Sequence, residues 1–101
     1  MVKGKLKLVI DNEAKIQLRE AYNYIKKESV QNAKKISNEI VDSIKDLIKN
    51  PEKHSIDKYR LNNDGSYRAY EIHKYRITYY LSHQQITVIR IRHTKMNPLE
   101  Y

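Results

Sequence analysis

The sequence predicts an α+β fold in which a helical hairpin packs on one face of a small, curved, mainly antiparallel sheet. Three observations support this prediction: a short alternating segment near the start, two amphipathic segments after it, and three segments rich in β-branched and tyrosine residues. The expected order of elements is β-α-α-β-β-β. The 101 residues suffice for one domain, which we expect to span 1–101.

The first strand and the helical hairpin occupy the first half of the chain. Residues 5–10, KLKLVI, alternate and then become apolar, as a strand does. Asp11 or Asn12 can cap the first helix, and Ser29 the second. Each helix has an apolar stripe at helical spacing, formed in the first by Ala14, Leu18, Ala21, Tyr22 and Ile25 and in the second by Ala33, Ile36, Ile40, Ile44, Leu47 and Ile48.

The second half of the chain reads as strands. They are predicted at about 66–73, 75–81 and 86–93. A tight turn at His73-Lys74 and a longer turn connect them. A loop over 51–65 comes first and includes a short predicted strand at Tyr59–Leu61.

The net charge of +8 and the pI of about 9.6 favour a polyanion or an acidic protein as partner, although a merely basic domain would show the same values. Residues 1–50 hold ten lysines and one arginine, whereas residues 51–101 hold four lysines and five arginines. The planar guanidinium suits phosphate and carboxylate better than an ammonium group does. We therefore expect the second half to provide the working surface.

Composition also excludes several classes of function. The chain has no cysteine, no apolar run near the ~20 residues of a membrane span, and no apolar stretch typical of a signal peptide. The histidine spacings fit no metal template, and Gly4 and Gly65 alone cannot build a phosphate-binding loop. We expect a cytoplasmic protein with no membrane contact, no metal and no cofactor.

Two registers of the last hairpin compete. A four-residue loop would turn Arg90 towards the core, on the face of Ile77. A five-residue loop pairs Tyr80 with Ile86 and Arg76 with Arg90. In that register the side chains that face the helices are those of Ile77, Tyr79, Ile89 and Ile91. Because burying an unpaired guanidinium costs several kcal/mol, the second register is predicted.

In this register the other face of the sheet is uncovered and carries arginines. It holds Arg76, Arg90 and Arg92 with Glu71, Thr78 and Tyr80. Clustered like charges favour a face that an anion or an acidic segment covers. The alternative is an exposed face kept polar for solubility, with Glu71 and Arg76 as a cross-strand pair. Since its side chain is predicted to be exposed, Arg76→Ala is expected to leave the fold intact. Buried Tyr70, Tyr75 or Tyr79 must find hydrogen-bond partners.

The chain resembles the RelE/ParE superfamily, the toxins of type II toxin–antitoxin (plasmid stabilisation) systems. The likeness rests on the order of elements, on the Tyr75-Arg76-Ile77-x-Tyr79 strand and on the closing IRIRHTKMNPLEY. It covers nearly the whole chain. It implies an acidic, partly disordered antitoxin that wraps the toxin in a hetero-oligomer. The candidate residues for binding the target or the antitoxin are Arg68, Arg76, Tyr80, Arg90 and Arg92.

The superfamily contains two mechanisms. RelE-like members cut mRNA in the ribosomal A site, which requires a base, an acid and cations around the phosphate. The resemblance then implies Arg76 as the phosphate-stabilising cation, His93 as a candidate acid, and Lys95 and Tyr101 as residues of the catalytic tail. Glu71 is a candidate base. The simpler alternatives are a hydrogen-bonded strand-end histidine at 93 and a loose or docked terminal residue at 101.

ParE-like members instead inhibit DNA gyrase and lack the nuclease residues. The long helical hairpin and a histidine after the last strand favour this branch. Gyrase inhibition is therefore preferred slightly over ribosome-dependent mRNA cleavage, and whether the chain is an enzyme stays open. A third hypothesis is a basic nucleic-acid-binding module without toxicity.

Overall fold

A helical hairpin packs on a four-stranded mixed sheet in a computed structural model that describes residues 6–95. The elements are β1 (Lys7–Ile10), α1 (Asn12–Lys26), α2 (Val30–Lys45), a short 3-10 helix (Asp46–Ile48), β2 (Tyr67–Ile72), β3 (Tyr75–Leu81) and β4 (Gln85–His93). The strand order is β1-β4-β3-β2, with β1 parallel to β4 and the other pairs antiparallel. The predicted fold class and element order are confirmed. Neither helix within residues 6–95 has the length and apolar character needed to cross a bilayer.

The helix ends follow the predicted capping chemistry. The Asp11 carboxylate accepts a hydrogen bond from the Asn12 amide at 2.9 Å, and Ser29 Oγ accepts one from the Asn32 amide at 3.0 Å. The second helix tightens into the 3-10 helix after Lys45. Its narrower winding changes the direction of the following side chains. As a result Ile48, predicted to lie in the apolar stripe, is 44% exposed.

The core lies between the helical hairpin and one face of the sheet. Small side chains on α1, Ala14 and Ala21, are buried, and α1 packs on β4. The remaining core residues come from α2, the 3-10 helix and the strands β3 and β4: Ile40, Ile44, Leu47, Tyr75, Ile77, Tyr79, Ile86, Val88 and Ile91. Two tyrosine hydroxyls find partners there. The Tyr79 hydroxyl donates to the Pro51 carbonyl at 2.7 Å, and the Tyr70 hydroxyl lies 2.8 Å from Ser43 Oγ.

The predicted register of the last hairpin is wrong. Instead of Tyr80–Ile86 and Arg76–Arg90, Tyr80 pairs with Thr87 and Arg76 pairs with Arg92. Two features cause the difference. The last pair before the turn is Leu81–Ile86, so the four-residue loop that the prediction rejected is present, and a β-bulge then interrupts the pairing inside the strands.

The bulge adds one residue to β4. Tyr79 pairs with Val88 and the preceding Thr78 pairs with Arg90, so Ile89 is the extra residue. The extra residue exchanges the faces of even- and odd-numbered residues in the rest of the strand. Ile86, Val88 and Ile91 can therefore all face the helices. Ile89, which was predicted to belong to the core, is only half-buried.

The loop before β2 runs along the free edge of that strand. The short strand predicted at Tyr59–Leu61 is absent; the contact with β2 is instead an isolated bridge between Ile56 and Arg68. The Asp57 amide donates to the Tyr67 carbonyl at 2.8 Å. This edge pairing places residue 57 beside the sheet.

Candidate functional site

The face of the sheet turned away from the helices carries the strand arginines predicted for it. Directly paired residues share a face, and the pairs here are Arg76 with Arg92 and Thr78 with Arg90. Glu71, opposite Arg76, joins them. We call this surface the arginine face; it consists of Glu71, Arg76, Thr78, Tyr80, Arg90 and Arg92.

The centre of the arginine face is covered, contrary to the prediction of an open surface. Thr78 is buried, and the Arg76 side chain is only 21% exposed. The covering group is the carboxylate of Asp57, which has 0% side-chain exposure and lies 2.8 Å from Arg76 Nη2. The expectation of an exposed Arg76 is therefore wrong. A buried carboxylate from the preceding loop forms an ion pair with it.

The surroundings of Arg76 hold its guanidinium from several sides. The guanidinium carbon lies 4.8 Å from the centre of the Tyr59 ring, a cation–π distance. Glu71 Oε2 lies 3.9 Å from Nη1, so the predicted cross-strand pair is present but long. The Tyr59 amide donates to Asp57 Oδ1 at 3.0 Å, which satisfies the same carboxylate oxygen from the backbone.

The other two arginines of this face differ in their partners. Arg90 Nη1 lies 3.2 Å from Glu13 Oε2 at the start of α1, so its charge is partly compensated within the chain. Arg92 is half-buried and forms no ion pair with any residue of 6–95. Of Arg90 and Arg92, Arg92 is therefore the better placed to bind an external anion.

The remaining two candidate binding residues lie on different faces. Tyr80 lies on the arginine face, where its ring packs on that of Tyr67 at 4.6 Å between centroids. Arg68 pairs with Tyr79 and so faces the helix side, where its Nη1 donates to the His54 carbonyl at 2.8 Å. The structure does not bring Arg68 to the arginine face, because strand alternation separates it from Arg76.

The candidate nuclease residues are also divided between the two faces. His93 pairs with Tyr75 on the helix side, with ring centroids 5.1 Å apart, whereas Arg76 lies on the arginine face. His93 Nδ1 accepts a hydrogen bond from the Lys95 amide at 3.0 Å. Tyr101 lies outside the described residues. Within the described residues, His93 and Arg76 therefore do not share a surface.

A groove of about 440 Å³ lies where α1 meets the end of β4. Its walls include Glu20 and Tyr24 from α1 and Arg92, His93 and Lys95 from β4 and the turn after it. The groove brings His93 and Lys95 together with Arg92, although not with Arg76. Its basic groups outnumber the acidic one.

Asp57 is the residue that sequence reasoning missed. It lies in an irregular loop, where no periodicity indicates which strand a side chain will meet. The four other acidic residues around it, from Asp46 to Glu71, are exposed. The sequence gives no signal that separates Asp57 from them.

Comparison with known proteins points to a toxin family. The family model described as ParE toxin of type II toxin–antitoxin system, parDE, matches residues 8–98. None of the curated proteins matches the chain.

Solved structures share the fold at low sequence identity. The chromosomal ParDE system from P. aeruginosa aligns with a TM-score of 0.72 and 17% identity, over 90% of this chain and 98% of that one. The YoeB dimer from Staphylococcus aureus aligns with a TM-score of 0.54 and 19% identity, over 89% of this chain and 98% of that one. The heterotetrameric YoeB–YefM toxin–antitoxin complex from the same organism gives a TM-score of 0.52 at 19% identity, with the same coverage.

These likenesses support the fold, and the match of the family model extends over most of the chain. The chain belongs to the ParE toxin family of type II toxin–antitoxin systems.

Proposed function

We propose that this protein arrests growth by inhibiting DNA gyrase, and that an acidic antitoxin neutralises it by covering the arginine face. The observation that carries the proposal is the separation of His93 from Arg76 by the sheet. An mRNA endonuclease needs its acid, base and cations around one phosphate. The described residues form a cationic binding surface more readily than such a site.

The state of Asp57 also supports a non-enzymatic role. A general base must come within hydrogen-bond reach of the proton that it removes. The Asp57 side chain has no exposed surface, and Arg76 and the Tyr59 amide bind its Oδ1. It is therefore a poor base for a substrate hydroxyl.

An acidic partner fits the charge of the chain. The net charge is +8, and Arg92 contributes a cation with no ion-pair partner in residues 6–95. A relative of similar fold was solved as a toxin–antitoxin heterotetramer. We infer a hetero-oligomer in which carboxylates of the antitoxin lie against this face.

The test is a supercoiling assay with purified gyrase and purified toxin. The parent protein is expected to inhibit supercoiling, and Arg92→Ala to raise the concentration required by roughly tenfold, as the loss of one charge-assisted contact would. Lys34→Ala, which removes the same charge from the exposed side of α2, is the matched control and should behave as the parent. Normal supercoiling in the presence of the folded parent protein would contradict the proposal.

The second candidate function is ribosome-dependent mRNA cleavage. The groove favours it, because His93, Lys95 and Arg92 share its wall. Cleavage of mRNA only when ribosomes are present, lost in His93→Gln, would support this function. A plain nucleic-acid-binding module would instead bind naked DNA or RNA with a steep dependence on salt.

A further inference from the structure

The Asp57–Arg76 ion pair joins a loop to the centre of the arginine face. Its carboxylate has 0% side-chain exposure and its guanidinium 21%, with 2.8 Å between Oδ1 and Nη2. A buried carboxylate requires a charged or hydrogen-bonding partner, since its desolvation is otherwise uncompensated. Asp57 therefore fixes where the Arg76 guanidinium must lie.

The loop holds the carboxylate in place independently of Arg76. The Asn63 side-chain amide donates to the carbonyls of Asp57 and Tyr67, at 3.1 and 2.7 Å. The Asp57 amide donates to the same Tyr67 carbonyl at 2.8 Å. These bonds anchor the loop to β2, so the carboxylate is the fixed member of the pair and the longer arginine side chain is the one that it orients.

The guanidinium keeps donors for a second partner. It has five N–H donors; Nη2 forms a close bond to Asp57, and Nη1 lies 3.9 Å from Glu71 Oε2. The Tyr59 ring lies against it at 4.8 Å and limits its movement. The exposed part of the side chain lies on the same face as Arg92.

We propose that Asp57 is a positioning residue, which pre-orients Arg76 so that its exposed donors meet a carboxylate of the protein target. This inference rests on the proposed function and adds a role for a residue outside the sheet. An arginine already held in its binding geometry loses less side-chain freedom when the partner arrives. A merely structural ion pair would stabilise the loop without affecting target binding.

The test compares Asp57→Asn, Arg76→Gln and the double variant in thermal unfolding and in gyrase inhibition. Asp57→Asn is expected to inhibit roughly tenfold less well, although Arg76 is still present. The double variant removes both charges, so it should unfold at a higher temperature than either single variant. It should nevertheless inhibit no better than Arg76→Gln, because Asp57 acts through Arg76. Lys34→Ala serves again as the control.

A second measurement reports on positioning without gyrase. In the parent, the Arg76 Nε–Hε group should give one NMR signal with restricted motion, and Asp57→Glu, which shifts the carboxylate by one methylene, should increase that motion. Folded Asp57→Asn that inhibits as well as the parent, a double variant that regains inhibition together with stability, or an unchanged Arg76 signal in Asp57→Glu would each overturn the inference. A parent protein that leaves gyrase active overturns the proposed function instead, and the NMR comparison still decides whether Asp57 positions Arg76.

Discussion

The Asp57–Arg76 pair shows how a loop residue can determine the burial of a residue inside a strand. The sequence indicates the face on which Arg76 lies, because strand alternation follows from backbone geometry. Its burial depends on a loop contact 19 positions away, which no local pattern encodes. The same holds for the tyrosines. That a buried tyrosine hydroxyl needs a hydrogen-bond partner follows from its chemistry. Which residues serve as partners, here Ser43 and Pro51, follows only from the packing.

Removing the guanidinium should destabilise the protein. Arg76→Ala removes the guanidinium that lies 2.8 Å from the buried Asp57 carboxylate, which we expect to lower the free energy of unfolding by about 3 kcal/mol. Urea denaturation at neutral pH measures this. Arg92→Ala, on the same face but without an ion pair in residues 6–95, should change it by less than about 0.5 kcal/mol. Equal stabilities of the two variants would show that the ion pair contributes little.

Buried Tyr70 should make stability sensitive to alkaline pH. Burial raises the pKa of its hydroxyl from 10.0 to about 12, although the Ser43 hydrogen bond opposes the shift. The neutral form is favoured in the folded state, so the contribution is complete below pH 10.0 and is lost as the pH rises towards about 12. Tyr70→Phe should lose about 1 kcal/mol at pH 7 and show a weaker decline above pH 10.

Denaturation curves at several pH values between neutral and alkaline test this prediction. Tyr24→Phe is the control, because Tyr24 is 64% exposed. Burial also raises the pKa values of Tyr75 and Tyr79, so part of the alkaline decline will persist in Tyr70→Phe. A decline identical to that of the parent would exclude Tyr70 as a source.

Among the elements, β4 shows why the sequence predicts the faces better than the register. Energetic reasoning correctly required Arg90 and Arg92 to point away from the helices. A regular strand could meet that requirement only with Ile89 in the core. The bulge offers another solution, in which Val88 takes the core position. The alternation of side chains alone cannot distinguish the regular strand from the bulged one, because both arrangements bury aliphatic side chains.

The bulge residue should be the most dispensable residue of β4. Deleting Ile89 joins Val88 directly to Arg90, which keeps their pairs Tyr79 and Thr78 and turns β4 into a regular strand. Deleting Thr87, a regularly paired residue, forces apolar side chains of β4 to change faces. We therefore expect the Ile89 deletion to have the higher midpoint of thermal unfolding. The reverse order would contradict the assigned position of the bulge.

The turn between β2 and β3 should tolerate glycine with a gain in stability. His73 and Lys74 have φ angles of 52° and 68°, the left-handed conformation required by a type I′ turn. Lys74→Gly removes the Cβ strain and should raise the free energy of unfolding by about 0.5–1 kcal/mol. Lys74→Ala removes the charge but keeps Cβ, so it should give no such gain. Chemical denaturation of both variants separates the two effects.

At the scale of the whole molecule, the sequence predicts the fold and the excess of positive charge, but it predicts the candidate site only in part. Helical stripes, capping residues and β-branched runs agree on one architecture, and local agreement of this kind makes a fold predictable. The arginines on the outer face also follow from sequence. Only the structure shows three other features: Arg68 lies on the helix side, the sheet separates His93 from Arg76, and Asp57 covers Arg76.

The excess positive charge should make action on an acidic partner dependent on salt. Exposed charges lose most of their mutual attraction beyond a Debye length, which is about 10 Å at 0.1 M salt. Inhibition of gyrase by the parent should therefore weaken as salt is raised from about 0.05 M to about 0.2 M. Arg92→Ala should show a shallower dependence than the parent, measured against gyrase activity at each salt concentration without toxin. Parallel salt profiles would mean that Arg92 is remote from the contact.

The extra residue in β4 bears on how this toxin is compared with its relatives. A relative whose last strand is uninterrupted needs a gap opposite Ile89 in any correct superposition. If that gap is omitted, every homologous position downstream is displaced by one, and an arginine of the arginine face would be aligned with a buried aliphatic side chain of the relative. Residue roles near the end of the strand are therefore best transferred by counting backwards from His93.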